Sequence, residues 1–213
     1  MKSKFTNLLA SLLVTLPTTV CLAGKGADLK PILAKPGKTS VEETFGGSAL
    51  GKNWNVAKGD WQVHDGTLVG REKKEDKHPA VCALAVLNHD SIIRFSFKLD
   101  GAKSLGLSYN SAKGHLFRIA ISPTSVTVSL DRDKKDEASK NVPLGKADAK
   151  FEPGQWYTMQ VEVKGDKLAV QTDNGVKIEA TNATLNADKT GYRFVTSGES
   201  VALAEVKAWE VAP

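Results

Sequence analysis

Polar side chains alternate with apolar ones along three stretches in the middle of the chain. Guanidinium, ammonium, hydroxyl and amide groups in such positions can hydrogen-bond sugar hydroxyls, and arginine can also hold a carboxylate. The alternative is a solvated sheet face without a ligand, which is the usual fate of exposed polar residues. The candidate ligand-binding residues from these stretches are Arg94, Ser96, Lys98, Ser108, Asn110, His115 and Arg118.

His115 and Arg118 lie three residues apart on the same predicted strand. Successive side chains of a regular strand point to opposite faces, so this spacing separates the two residues unless a β-bulge intervenes. Whether both can reach one ligand therefore depends on the local backbone.

Trp54 is the aromatic residue whose position most favours contact with a ligand. It lies between Asn53 and Asn55 near the predicted end of a sheet, where an exposed indole could stack on a pyranose ring. The remaining tryptophans, Trp61, Trp156 and Trp209, are predicted to fill the core or its rim.

No metal or other cofactor is predicted from the histidines and cysteines. The four histidines show no His-x-His spacing, and no zinc site is predicted from them. Asp173-Asn174 offers oxygen atoms of the kind that a structural calcium ion takes. Cys82 lies in the apolar run 80–86, which predicts a small buried core residue instead of a nucleophile.

The N-terminus has the pattern of a secretory signal peptide, predicted to cover residues 1–23. Lys2 and Lys4 precede the apolar run 8–16, and small residues allow cleavage before Gly24. This predicts a secreted or periplasmic protein of the bacterial cell envelope. Lipidation of Cys21 is the alternative, and only then is a membrane predicted as a partner.

Composition places the rest of the chain among soluble globular proteins. Residues 24–40 are predicted to be an irregular linker because of Pro31 and Pro36, and residues 41–213 to form one domain. The net charge of +5 falls to about +3 without Lys2 and Lys4, and basic residues alternate with acidic ones. This pattern argues against nucleic acid as a partner. A monomer is predicted.

The elements that must position the polar residues are short strands. Asp65-Gly66 suits a tight hairpin turn, and residues 131–150 form the long exposed loop of the prediction, with a ligand-covering lid as the alternative. Strands at regular spacing with alternating patterns predict an all-β, two-sheet antiparallel jelly-roll sandwich. The predicted strands cover residues 61–64, 67–69, 91–99, 104–109, 115–121, 125–130, 156–164, 167–172, 176–180, 192–196 and 201–211.

Three segments of the chain resemble a known family. The hairpin Gly59-Asp60-Trp61-Gln62-Val63-His64-Asp65-Gly66-Thr67-Leu68 looks like the opening of concanavalin A-like sandwich domains of the 3-keto-disaccharide hydrolase type. The segment at 154–168 is similar to that group and to laminarinase-like sandwiches, and the end of the chain at 191–209 looks like its last two strands. The resemblance implies a jelly-roll fold and a glycan as partner.

Two features of the chain depart from these families. No strand carries the Glu-x-Asp-x-x-Glu run that supplies the carboxylates of laminarinase-like enzymes. The Asn-Ser-Gly-Ile strand of the 3-keto-disaccharide hydrolases corresponds to Ser104-Leu105-Gly106-Leu107, which keeps only the glycine. The catalytic residues are therefore unassigned. The leading hypothesis is a secreted glycan-binding sandwich; the alternatives are a glycoside hydrolase acting on 3-keto-disaccharides and a cell-surface interaction module.

Overall fold

The computed structural model describes residues 26–133 and 135–213 of the chain. The predicted signal peptide and Cys21 lie outside the described residues. Thirteen strands and two short 3-10 helices (Lys74–Asp76 and Ala183–Leu185) make up the regular structure of the described part. The strands are β1 Pro36–Glu43, β2 Trp54–Lys58, β3 Asp60–His64, β4 Thr67–Arg71, β5 Ala80–Asn88, β6 Ser91–Ser111, β7 Gly114–Ser122, β8 Ser125–Leu130, β9 Val142–Asp148, β10 Trp156–Lys164, β11 Lys167–Thr172, β12 Lys177–Thr181 and β13 Lys189–Val211.

Two long strands, β6 and β13, belong to both layers of the molecule. Their segments 91–99 and 201–211 pair with each other and with β10, β1 and β4, and this layer, completed by β11, β12 and β3, is called the back sheet. Their segments 104–111 and 189–197 pair with each other and with β7 and β5; with β8, β9 and β2 they form the front sheet. All pairs are antiparallel, so the fold is an all-β jelly-roll sandwich.

Glycine allows both strands to pass from one layer to the other. Gly101 and Gly198 have φ angles of 79° and 95°, a region that side chains with a Cβ atom avoid. A Cβ atom on Gly198 would also lie 2.6 Å from the backbone nitrogen of Lys103. The hydrogen-bond register between the two strands shifts at the same place. These glycines therefore mark the bend at which a single pair of strands serves two sheets.

The core lies between the two sheets and is continuous. Phe95 of the back sheet meets Phe194 of the front sheet edge to face, with 5.3 Å between ring centroids. Residues that alternate inward along β6, among them Phe97 and Leu107, are fully buried. Since burial removes every second side chain of each strand from water, the remaining side chains form the two outer faces of the sandwich.

The predicted fold class is confirmed, and two segment boundaries are wrong. The linker was expected to reach residue 40, but β1 begins at Pro36 and pairs with β13. Proline is tolerated there because it is the first residue of an edge strand and need not donate a hydrogen bond. The loop expected over 131–150 ends earlier, because β9 begins at Val142, pairs antiparallel with β8 and lies near β12.

Candidate functional site

A cavity opens on the outer face of the front sheet, and we call it the cup. Its volume is about 390 Å³. Three neighbouring strands, β6, β7 and β13, supply most of its lining, and the segment before β5 closes one side. The lining residues are His78, Pro79, Val81, Ser104, Gly106, Ser108, His115, Arg118, Ala120, Arg193, Val195 and Ser197.

Strand register explains the shape of the cup. Ser108 lies opposite Arg118 on one neighbouring strand and opposite Arg193 on the other. One step along the same face, Gly106 lies between Ala120 and Val195. Small side chains therefore form the floor, while two arginines rise beside it. The cavity exists because Gly106, on the middle one of three adjacent strands, has no side chain to fill the space between its neighbours.

A β-bulge brings His115 to the same face as Arg118. The register between β6 and β7 shifts after Tyr109, so that Asn110 pairs with His115 and Leu116 is left unpaired. The extra residue compensates for the odd spacing of His115 and Arg118, which a regular strand would have separated. The β-bulge that a site shared by these two residues requires is therefore present.

His115 is held from two sides. Its Nδ1 atom lies 2.9 Å from Oδ1 of Asn110, an acceptor, which assigns the proton of the neutral ring to Nδ1. The Nη1 atom of Arg193 lies 3.3 Å from Nδ1 and 3.2 Å from Nε2. Asn110 thus fixes the orientation of the imidazole, and the guanidinium of Arg193 lies against the ring at similar distances from its two nitrogen atoms.

The two arginines of the cup differ in how their charge is balanced. Arg118 forms an ion pair with Asp131, whose carboxylate is almost fully buried. Among the described residues, no carboxylate lies within 4.0 Å of Arg193. Burial, followed by the positive charge of Arg118, lowers the pKa of Arg193 below its usual value. The cup therefore carries a net positive charge.

The family model for the 3-keto-α-glucoside-1,2-lyase-like domain matches residues 40–205. The chain belongs to this family. The match includes every residue of the cup and all strands from β2 to β12. Comparison of the sequence with curated proteins finds no match.

Solved structures show that this lyase-like domain has the concanavalin A-like sandwich fold. A carbohydrate-binding module from Bacillus subtilis superposes with a TM-score of 0.57 at 13% identity, covering 74% of this chain and 96% of the module. Laminarinase from Flavobacterium sp. UMI-01 gives 0.59 at 15% identity, with coverages of 81% and 100%. An endo-β-galactosidase from Clostridium perfringens gives 0.60 at 11% identity, with coverages of 87% and 66%.

Five of the eight candidate residues of this lyase-like domain lie outside the lining of the cup, three of them on the back sheet. Arg94, Ser96 and Lys98 face outward from the back sheet, on the opposite side of the sandwich from Ser108 and His115. Arg94 stands 5.3 Å from the ring centroid of Trp209, and Lys98 stands 5.5 Å from that of Trp156. The sequence pattern was the same in both halves of β6, but the bend at Gly101 sends the halves to different faces.

Residues 26–35 cover this part of the back sheet, and we call them the strap. Glu162 is fully buried beneath it and accepts hydrogen bonds from the backbone N–H groups of Ile32 and Leu33, both at 2.8 Å. Arg94 pairs with Asp28 of the strap at 2.6 Å. Gly26 passes so close to the sheet that a Cβ atom would lie 2.6 Å from the Ser96 hydroxyl. The strap therefore covers Ser96 and pairs with Arg94, whereas Lys98 forms an ion pair with Asp100 at 3.1 Å.

Trp54 is not an exposed platform, contrary to the expectation of an open indole that could stack on a sugar. Its side chain is 8% exposed, stacks on Phe194 at 5.9 Å and meets Phe45 at 5.5 Å. The polar neighbours Asn53 and Asn55 suggested an open sheet end, whereas the strand pairing of β2 with β5 turns the indole inward. Trp61 is a core residue, as predicted.

Arg193 is the cup residue that sequence reasoning missed. It lies between Tyr192 and Phe194, both buried in the core, so period-two alternation alone points its side chain outward. Ser104 and Ser197, whose hydroxyls lie 2.7 Å apart at the rim, follow the same rule. What alternation could not show is that β13 lies next to β6 on this face, and only that pairing places Arg193 beside Ser108.

Other predictions concern metals and the cysteine. Within residues 26–133 and 135–213, no group of three His, Cys, Asp or Glu side chains is arranged to hold a metal ion. Asn174, proposed as a calcium ligand, donates to the carbonyl of Lys150 and accepts from Thr172. Cys82 is buried as predicted, and burial raises the pKa of its thiol to about 12. No helix in the described part of the chain is long and apolar enough to span a membrane.

Proposed function

We propose that this protein binds a carbohydrate in the cup, as a secreted or periplasmic glycan-recognition domain. The observation that carries the proposal is the convergence of outward side chains from three adjacent strands on one cavity of about 390 Å³. This volume falls within the range of about 300–1,000 Å³ that is typical of small-molecule sites. The solved structures with the same fold include a carbohydrate-binding module and glycan-cleaving enzymes, which supports a sugar over other ligands.

The chemistry of the lining suits a polyhydroxylated ligand. Arg118 and Arg193 donate hydrogen bonds, while the hydroxyls of Ser104, Ser108 and Ser197 both donate and accept. Sugar hydroxyls also do both, so each can be paired in the cup. Apolar surface from Val81 and Val195 lies beside these groups and can face the C–H bonds of a pyranose ring.

A glycine in the floor of the cup gives a sharp test. The Cβ position of Gly106 has its nearest neighbours at 3.7 Å, so a side chain fits there without disturbing the sheet and extends into the cup. We expect the Gly106→Val variant to keep its melting temperature and to lose at least about tenfold in affinity for whichever glycan the wild type binds, since the added side chain occupies ligand volume. Isothermal titration against a glycan panel measures this.

Gly47→Val is the matched control. Gly47 lies in an exposed loop away from the cup, with no atom closer than 3.8 Å to its Cβ position. The Gly47→Val variant should bind glycans with the same affinity as the wild type. If no member of the panel binds the wild type, or if Gly106→Val binds as well as the wild type, the proposal fails.

A second candidate function is 1,2-elimination on a 3-keto-glucoside, favoured by the family match and by the His115–Arg193 pair. In such a reaction Nε2 of His115 would accept the proton from C2, which the C3 ketone makes acidic. The electron pair left on C2 forms the C1=C2 bond as the C1–O bond breaks, and the departing alkoxide takes up a proton. Arg193 and Arg118 would stabilise the negative charge that develops on the C3 oxygen.

Incubation with a methyl 3-keto-α-glucoside tests this candidate. Elimination gives a conjugated enone, seen by ultraviolet absorbance, and methanol; hydrolysis in oxygen-18 water would instead label the sugar product. Loss of a general base lowers the rate by about 10²–10⁴-fold, and we expect His115→Gln to do so. An unchanged rate in His115→Gln, or no enone from the wild type, would exclude elimination by this residue.

A further inference from the structure

Arg193 has a surplus charge that the protein itself does not balance. Its guanidinium is half-buried against His115, and the described residues offer it no carboxylate partner within 4.0 Å. A cation withdrawn from water without an anion is costly, and such groups are normally paired. Arg118 adds to the cost, because the two positive charges share one cavity.

The positions of the two arginines suit a single anion between them. Both lie directly opposite Ser108, one on each neighbouring strand. Adjacent strands are about 4.8 Å apart, so the two Cα atoms are separated by about 10 Å, a distance that two extended arginine side chains can close around a small group. The hydroxyl of Ser108 lies between them as a further donor.

We propose that the ligand of the cup carries a carboxylate, as a uronic acid unit does, and that this group lies over Ser108 between Arg193 and Arg118. The inference rests on the proposed carbohydrate binding and names the class of sugar. A planar guanidinium presents two parallel N–H donors that match a carboxylate in a bidentate pair. Asp131 already supplies one such partner to Arg118, whereas Arg193 takes its partner from the ligand.

The test compares oligosaccharides in pairs that differ only in a C6 carboxylate against a C6 hydroxymethyl group. Isothermal titration of the full-length protein at low salt should give at least about tenfold tighter binding for the acidic member, since charge-assisted hydrogen bonds are stronger than neutral ones. Raising the salt concentration from 50 to 500 mM should weaken the acidic ligand more than the neutral one, because exposed charge pairs are screened.

Arg193→Gln should weaken the acidic member at least about tenfold more than its neutral counterpart. Arg193→Lys retains the positive charge but lacks the two parallel N–H donors of the guanidinium, so it should recover part of the affinity for the acidic member. The lysine variant also provides the test if the glutamine variant does not fold. Arg71→Gln removes an exposed charge of β4 outside the cup and is the matched control.

The outcomes separate this inference from the proposed function. Equal affinity for acidic and neutral members would overturn the carboxylate and leave carbohydrate binding intact; a neutral keto sugar that becomes anionic only during elimination would give that result. Failure of every sugar to bind would overturn both. Inorganic phosphate binding as tightly as the uronic acid sugar would show a general anion site and also overturn the inference.

Discussion

The two outer faces of the sandwich start from the same alternating pattern and end differently. On the front sheet, small floor residues such as Gly106 leave the cup open, with Arg118 and Arg193 beside it. On the back sheet, the strap lies over Ser96 and Glu162, and its backbone N–H groups donate hydrogen bonds to the Glu162 carboxylate. The same strand, β6, supplies residues to both faces.

This difference teaches that outward polar residues are not equivalent candidates for a site. Ser96 is 2% exposed although it points away from the core, because another part of the chain covers it. Arg193 also points away from the core, but it lines the open cup instead of lying under another segment of the described chain. Whether a polar face is open depends on what packs on it, and that is a property of the whole chain.

The largest expected effect concerns the core that both faces share. Trp54→Ala should lower the free energy of unfolding by about 3–5 kcal/mol, since it removes a buried aromatic ring that contacts Phe194 and Phe45. Denaturant unfolding measures this. Glycan affinity of the folded fraction should be unchanged; a stable variant with reduced affinity would restore Trp54 as a ligand residue.

A smaller effect is expected where the strap meets the back sheet. Glu162→Gln removes the charged acceptor of the Ile32 and Leu33 amides, which we expect to cost about 1–3 kcal/mol of stability. Amide hydrogen exchange should rise in the strap and not around the cup. Glu179→Gln changes an exposed carboxylate and is the control. Equal exchange rates in the two variants would contradict the role assigned to Glu162.

Gly26→Ala should loosen only the beginning of the strap. The added Cβ would lie 2.5 Å from the Thr158 hydroxyl oxygen, so the segment must lift and give up its hydrogen bond from Ala27 to Thr158. The cost should be about 1 kcal/mol, because one partly buried hydrogen bond is lost. Limited proteolysis near residue 26 reports it, and Gly47→Ala should be cut as slowly as the wild type.

The smallest expected effect is a pH dependence of stability at the turn joining the two sheets. The hydrogen bond of His89 to Asp188, and then that to Asn186, raise the pKa of His89 above 6.5. Its stabilising contribution is therefore complete below pH 6.5 and is lost as the pH rises through the higher folded-state pKa. The free energy of unfolding, measured between pH 5.5 and 8.5, should fall with rising pH in the wild type and not in the His89→Gln variant. The same fall in both proteins would disprove the role of His89.

Local patterns in the sequence were sufficient for most of the fold. Alternation along 91–99 correctly separated Phe95 and Phe97 from Ser96, and Asp65-Gly66 correctly marked the turn between β3 and β4. Such patterns succeed because the period of a strand and the backbone freedom of a turn are properties of a few neighbouring residues. The errors at Pro36 and at Val142 occurred where pairing with a distant strand decided the structure.

The candidate site was only partly predictable for the same reason. Ser108, His115 and Arg118 were found because they alternate with core residues on adjacent stretches of chain. Arg193 was missed because its neighbour Ser108 is far away in sequence, and Trp54 was misplaced because β5 and Phe194 cover it.

By itself, the sequence determined that every second residue of many short strands would be buried, and hence an all-β sandwich with polar outer faces. Only the tertiary structure decided which face would remain open. It did so through the bend at Gly101, the bulge at Leu116 and the strap held by Glu162. The bend and the strap depend on contacts between residues that are distant along the chain, and the bulge depends on the register of two paired strands. Side-chain period carries no information about either.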